Sequence, residues 1–98
     1  MTNNTQPQAI SIDKENISGL KFPDTDVLKS NDDIKMRAIH LERALKLGNL
    51  EHNKIKIIFE DTEGRKQVDT TVWGVTDKRV ILKQGVVIPI HRILEVKV

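Results

Sequence analysis

From Lys54 to Val98 the chain reads as a compressed series of short apolar strands separated by turn signals. This compression most constrains what the chain can fold into. In Lys54-Ile55-Lys56-Ile57-Ile58-Phe59-Glu60, Ile55, Ile57 and Phe59 share one face while Lys54, Lys56 and Glu60 oppose them. Asp61-Thr62-Glu63-Gly64 is a hairpin turn, and a second strand runs from Lys66 through Val68, Thr70 and Val72. Trp73 and Val75 then carry the apolar signal in the opposite phase around Gly74, which predicts a bend or bulge. Thr76-Asp77-Lys78 turns the chain into Arg79–Lys83, and Gln84-Gly85 turns it into Val86–Ile90. The phase slips again at His91-Arg92, predicting a tight turn before a last strand that ends at Val98. Connections this short favour antiparallel neighbours. Five strongly bent strands are therefore expected to close into a small antiparallel barrel, which removes exposed edges.

Ahead of the strands the period is helical. Ser30-Asn31-Asp32-Asp33 has the form of a capping box, with acids that complement the helix dipole. Ile34, Ala38, Leu41 and Leu45 then fall on one stripe of an amphipathic helix of about four turns. Gly48 is expected to supply its left-handed stop. Residues 1–29 are rich in Asn, Gln, Asp, Thr and Ser and broken by Pro7, Gly19 and Pro23, so they are expected to form a flexible acidic arm. The arm's Leu20, Phe22, Val27 and Leu28 allow the part nearest the domain to dock as an irregular strap. The division is thus an arm, 1–29, and one helix-plus-barrel domain, 30–98. The fold class is mostly β, or α+β by count of elements.

Charge follows the same division. Residues 1–33 hold three lysines against six acids, and residues 34–98 hold thirteen basic against eight acidic residues. A modestly basic domain behind an acidic arm is compatible with a polyanionic partner but lacks the dense Lys/Arg runs of a dedicated nucleic-acid binder. The chain has no cysteine, so disulfides and thiolate metal sites are excluded and a reducing cytoplasm fits. A domain of about 65 residues buries only about 60% of its unfolded surface, so stability must come from tight packing or self-association. His40 and His52 have no second ligand at metal spacing. The glycines are isolated, which rules out a phosphate loop, a dinucleotide fingerprint or a nucleophile elbow. Glu60, Asp61 and Glu63 cluster at a turn without burial to separate their acidities, so they are not read as a catalytic pair. The chain is expected to be neither an enzyme nor a cofactor carrier, and no run of about 18 apolar residues marks a membrane span.

Helix, five bent strands, a tiny hairpin between strands three and four, and a one-turn break before strand five is the order found in the Sm-like fold. Within it, Val75-Thr76-Asp77-Lys78-Arg79-Val80-Ile81-Leu82-Lys83 resembles the segment of the Hfq family of bacterial RNA chaperones in which an Asp turn opens a Val-Ile-Leu-Leu-Lys strand. Ile90-His91-Arg92-Ile93 is similar to that family's Lys-His-Ala-Ile. The resemblance implies a bacterial RNA-binding module acting in post-transcriptional regulation. It places Arg79, Lys83, His91 and Arg92 as RNA contacts and gives Asp77 the shaping of the turn. The chain departs from the family where Ile90 replaces the contacting lysine, where no aromatic follows the Asp turn, and where Pro89 falls on the strand that pairs neighbouring subunits. A monomer or dimer is therefore expected rather than a ring.

Other Sm-like or SH3-like small barrels, among them the Rho-binding inhibitor type, act by protein contact. The alternative expectation is accordingly a protein-interaction barrel without nucleic acid. It would work through the helix face, an exposed strand edge, or Trp73, the only tryptophan. Trp73 has two roles open to it: an exposed anchor or base-stacking residue, or a filler of the barrel corner around Gly74. For His91 the alternative to ligand contact is a tie between the turn and nearby backbone groups.

Overall fold

The Ser30 hydroxyl accepts the amide N–H of Asp33 at 3.1 Å, and from this cap helix α1 runs over Asn31–Glu51. The structure is a computed structural model and describes residues 8–98. α1 is longer than expected because Gly48 does not end it. The left-handed residue is His52 (φ 55°, ψ 30°), whose N–H bonds to the Gly48 carbonyl at 3.1 Å. Gly48 has a different task. A Cβ there would run into the carbonyl oxygen of Val72, so glycine lets the helix lie directly on a strand. The buried stripe is also rotated from the one read in the sequence. Arg37, Leu41, Ala44 and Gly48 are buried, whereas Ala38 is exposed and Ile34 and Leu45 are half-buried. A buried arginine and a glycine hold that face inward, and neither is visible to an apolar periodicity.

Among the described residues seven strands follow one another: β1 (Ile10–Ser11), β2 (Ile55–Asp61), β3 (Gly64–Thr70), β4 (Val72–Val75), β5 (Arg79–Leu82), β6 (Val87–Pro89) and β7 (Ile93–Lys97). They form a four-stranded sheet, β1-β3-β2-β7, and a three-stranded sheet, β4-β5-β6. The strict alternation of β2 buries Ile55, Ile57 and Phe59. β3 and β4 are one run broken only at Thr71, where the chain passes from the first sheet to the second. The phase switch at Gly74 is a bulge: the register shifts between Val72 and Gly74, so that Trp73 and Gly74 together oppose Ile81. The slip at His91-Arg92 is a single 3-10 turn, Ile90–Arg92, leading into β7.

One amphipathic helix followed by bent, mainly antiparallel strands is thus present, but the hydrogen-bonded ladder does not close into a barrel. β6 is only three residues long and runs straight into the 3-10 turn, so it forms no ladder with β7. Other elements cover the two open seams. α1 packs against β4 and β7, and a 3-10 segment, Lys14–Gly19, packs against β3 and β6. Between the sheets lies one core that includes Phe59, Val68, Val80, Leu82, Ile88 and Ile93. Pro89 fits β6 for a definable reason. Leu82 N–H bonds to Val86 O at 2.6 Å and Ile90 N–H to Lys78 O at 2.9 Å, so the even-numbered residues of this hairpin face β5. Pro89 belongs to the odd set, whose backbone groups point away, and the missing N–H costs the ladder nothing.

The arm, expected to be flexible over 1–29, is laid down on the body from Gln8 onward; residues 1–7 lie outside the described residues. β1 pairs in parallel with the edge of β3, with Ile10 opposite Lys66 and Ser11 opposite Gln67. Ile17 is only 1% exposed, and the Phe22 ring centroid sits 6.0 Å from that of Phe59. Thr62 N–H bonds to Lys21 O and Val27 N–H to His91 O, each at 2.9 Å. The segment carries no sustained periodicity because, apart from the 3-10 turn Lys14–Gly19, several of its backbone groups bond to the body instead of forming a regular element. Among the described residues, no helix is long and apolar enough to cross a membrane.

Candidate interaction surface

The residues read as RNA contacts separate into two groups. Arg92 is 5% exposed and its guanidinium is fully engaged. Nε donates to Glu60 O at 3.0 Å, Nη1 donates to Thr25 O at 2.7 Å and Thr25 Oγ1 at 3.2 Å, and Nη2 lies 3.5 Å from Glu60 Oε1. It ties the strap to the end of β2, and its burial leaves it little exposed to a phosphate. His91 Nε2 lies 2.8 Å from Pro23 O, and because a carbonyl only accepts, Nε2 carries the hydrogen. Its ring is therefore the backbone tie anticipated as the alternative role. Arg37 completes the clamp, with Nη1 and Nη2 on the two carboxylate oxygens of Asp26 at 2.9 and 2.8 Å and Nη1 also on Ile93 O at 3.1 Å. The Arg37 hydrogen bonds, with a smaller contribution from the Leu28 amide, hold the Asp26 carboxyl below the usual aspartate range despite the opposing effect of burial.

Asp77 does not shape its turn. It is exposed and makes no side-chain hydrogen bond among the described residues. The neighbouring Thr76 does that work, its Oγ1 accepting from Lys78 N–H at 3.2 Å and Arg79 N–H at 2.9 Å. Asp77, Arg79 and His91 do meet, around an open cavity of about 470 Å³ completed by Asp24, Asp26, Arg37, Lys78 and Ile90. Two strap carboxylates line that cavity, so the strap itself supplies the anionic neighbours that a polyanion would need to displace.

The second group lies on the outer face of the three-stranded sheet. Val72 points inward and is fully buried, and the bulge turns both Trp73 and Gly74 outward. Trp73 is 53% exposed and does not fill a corner of the core. Alternation along β5 places Arg79 and Ile81 on this face, Lys83 follows the strand as the first residue of the short 3-10 turn Lys83–Gly85, and pairing brings Val87 beside Ile81 and Pro89 beside Arg79. Ile81 lies across Gly74, its Cδ1 only 3.3 Å from where a Cβ of residue 74 would stand. Lys83 continues the ladder, its N–H bonding to Thr71 O at 2.9 Å. The result is an apolar platform of Trp73, Ile81, Val87 and Pro89, with a cation at each end about 13 Å apart at roughly 3.3 Å per residue. Arg79 and Lys83 are exposed and make no ion pair among the described residues.

Three of the singled-out residues therefore share one surface: Trp73, Arg79 and Lys83. Ile81, Val87 and Pro89 escaped notice as surface residues, although the odd-numbered phase of Arg79-Val80-Ile81-Leu82-Lys83 already carried the signal. Asp61, expected to be an exposed turn acid, is instead buried and structural. Burial would raise its carboxyl pKa, but the amides of Glu63 and Gly64, each at 2.9 Å, and the Lys66 ammonium at 3.2 Å outweigh burial and lower it. Among the described residues no three His, Asp or Glu side chains come together as a metal site. Comparison with protein-family models, with curated proteins and with solved structures returns no match for this chain.

Proposed function

We propose that this chain is a non-enzymatic binding module of the Sm-like or SH3-like small-barrel type, working in the bacterial cytoplasm by protein contact through the outer face of its three-stranded sheet. The observation that carries the reading is Trp73, more than half exposed on a bulge beside Ile81 and Val87. A large apolar side chain held open to water beside other exposed apolar residues is costly to leave uncovered, and tryptophan is enriched among the anchors of protein interfaces. The order of helix, bent strands and 3-10 turn supports the small-barrel kinship. Pro89, which turns a donor-less position away from β5, together with the 3-10 segment Lys14–Gly19 packed against β6, supports a monomer or dimer rather than a ring, and light scattering measures this directly.

A nuclease-treated pull-down with the intact chain tests the reading. A protein retained by the unaltered chain and lost with Trp73→Ala is the expected result. Retention that is indifferent to Trp73 contradicts it. RNA binding is the second reading, favoured by the cations at both ends of the platform and an aromatic between them. It requires affinity for single-stranded RNA that falls steeply with salt, and binding that is absent at micromolar protein removes it.

A further inference from the structure

We infer that the Trp73 face takes an extended segment in which two acidic residues flank an apolar one. The inference rests on the protein-contact reading above and specifies the partner's chemistry.

The geometry of β5 carries it. Arg79 and Ile81 project from β5 at period two, and Lys83, the exposed residue that follows the strand, stays on the ladder through its N–H bond to Thr71 O, so the face presents cation, aliphatic and cation in order. Arg37 and Arg92 are spent on Asp26, Glu60 and backbone carbonyls, whereas Arg79 and Lys83 make no ion pair among the described residues. A complementary strand therefore places carboxylates about 13 Å apart, the span of four residues in extended chain at roughly 3.3 Å per residue. The residue midway between them points to the same side and falls over Ile81, between Trp73 and Val87. The expected pattern is acidic, any, apolar, any, acidic. A helix carries acids four residues apart only about 6 Å from each other, so the same sequence in helical form does not match. The aliphatic surroundings of Trp73 favour a peptide over a nucleotide strand. Base-stacking surfaces use several aromatic rings, and the described part of this face offers one.

Because Trp73 is the only tryptophan, its emission reports on this face without labelling. The probe is a capped five-residue peptide with glutamate at both ends and leucine in the middle, titrated into the full chain at low and moderate salt. Comparison probes replace the glutamates with lysine, replace them with glutamine, or set the two glutamates side by side. A short oligouridylate is the nucleic-acid probe. The glutamate peptide is expected to shift Trp73 emission to shorter wavelength and to bind at least about tenfold more tightly than the lysine peptide. Arg79→Gln and Lys83→Gln are each expected to weaken it about two- to fivefold, the range of an exposed charge pair, with the fold checked by circular dichroism.

Equal binding of the lysine peptide, or of the peptide with adjacent glutamates, overturns the inference. Trp73-dependent binding of the glutamine peptide at full strength overturns the acidic specification while leaving the protein-contact reading intact. So does silence from every peptide when a Trp73-dependent protein is retained in the pull-down. Tighter binding of oligouridylate than of the glutamate peptide overturns both.

Discussion

The corner where the strap meets the 3-10 turn and the outer face of the three-stranded sheet are built from the same residue types, yet they do opposite things. At the corner, Arg37, His91 and Arg92 are buried or half-buried, and their polar atoms reach Asp26, Pro23, Thr25, Glu60 and Ile93. On the sheet face, Arg79 and Lys83 stand in water with Trp73 and Val87 uncovered between them. Burying a cation is tolerated only where hydrogen bonds replace its water, and the corner makes those bonds with the Asp26 carboxylate, with strap carbonyls at Pro23 and Thr25, and with the Glu60 and Ile93 carbonyls of the body. The sheet face has no such obligations. Its composition, costly in isolation, makes sense when another molecule covers it. A basic residue thus becomes structural or available according to whether carbonyls lie within its reach, a property of tertiary arrangement.

The contrast can be broken by substitution, and the largest effect belongs to the strap. Ile17→Ala, at a side chain sealed beneath Lys14–Gly19, is expected to cost about 3 to 4 kcal/mol in urea unfolding. A cost below about 1 kcal/mol means that the strap is not part of the core. Arg92→Ala removes three hydrogen bonds and an ion pair and is expected to cost about 2 to 3 kcal/mol.

Acidification follows, and its sign is set by Asp26 and Asp61, whose carboxyls lie below the usual range in the folded chain. A depressed carboxyl stabilises the fold at pH above its unfolded value, near 3.9, and that contribution is lost as pH falls through the lower folded value. The urea midpoint should therefore hold from pH 7 to about 5 and fall below roughly pH 4. Asp26→Asn is expected to flatten part of that fall, since it removes the strap carboxyl whose ionised form Arg37 holds, and an unchanged slope separates Asp26 from the clamp. The smallest effect is the complement of the others. Trp73→Ala, Arg79→Gln and Lys83→Gln are each expected to change stability by no more than about 0.5 kcal/mol, because none holds the body together. A loss of several kcal/mol in any of them shows that the face is packed rather than open.

Features that depend on neighbours in sequence were legible. Ser30 caps α1 as its spacing with Asp33 indicated, β2 alternates as read, and the phase reversals at Gly74 and at His91-Arg92 mark a bulge and a 3-10 turn. What escaped depends on contacts between distant segments. Gly48 reads as a stop because glycine commonly ends helices, but here it answers to the Val72 carbonyl from another element. The strap has no period because several of its backbone partners, among them Gln67, His91 and Arg92, lie more than fifty residues away. Arg92 reads as a surface cation for the same reason. Barrel closure was inferred from the number of bends, but β6 is too short to complete the ladder, and α1 and the strap cover the seams instead. For the candidate surface, Trp73, Arg79 and Lys83 were visible one by one. Their common face required the bulge and the β5 pairing to be located first.

Amide hydrogen exchange on the intact chain tests the division between clamp and open face most directly. The Val27 and Thr62 amides, which donate from strap to body and from body to strap, should be protected well above unfolded-chain rates. In Arg92→Gln that protection should drop while the Val80 amide in the sheet interior keeps its own. If Val27 and Thr62 exchange freely in the unaltered chain, the strap is not clamped, and His91 and Arg92 are as available to a ligand as Arg79 and Lys83.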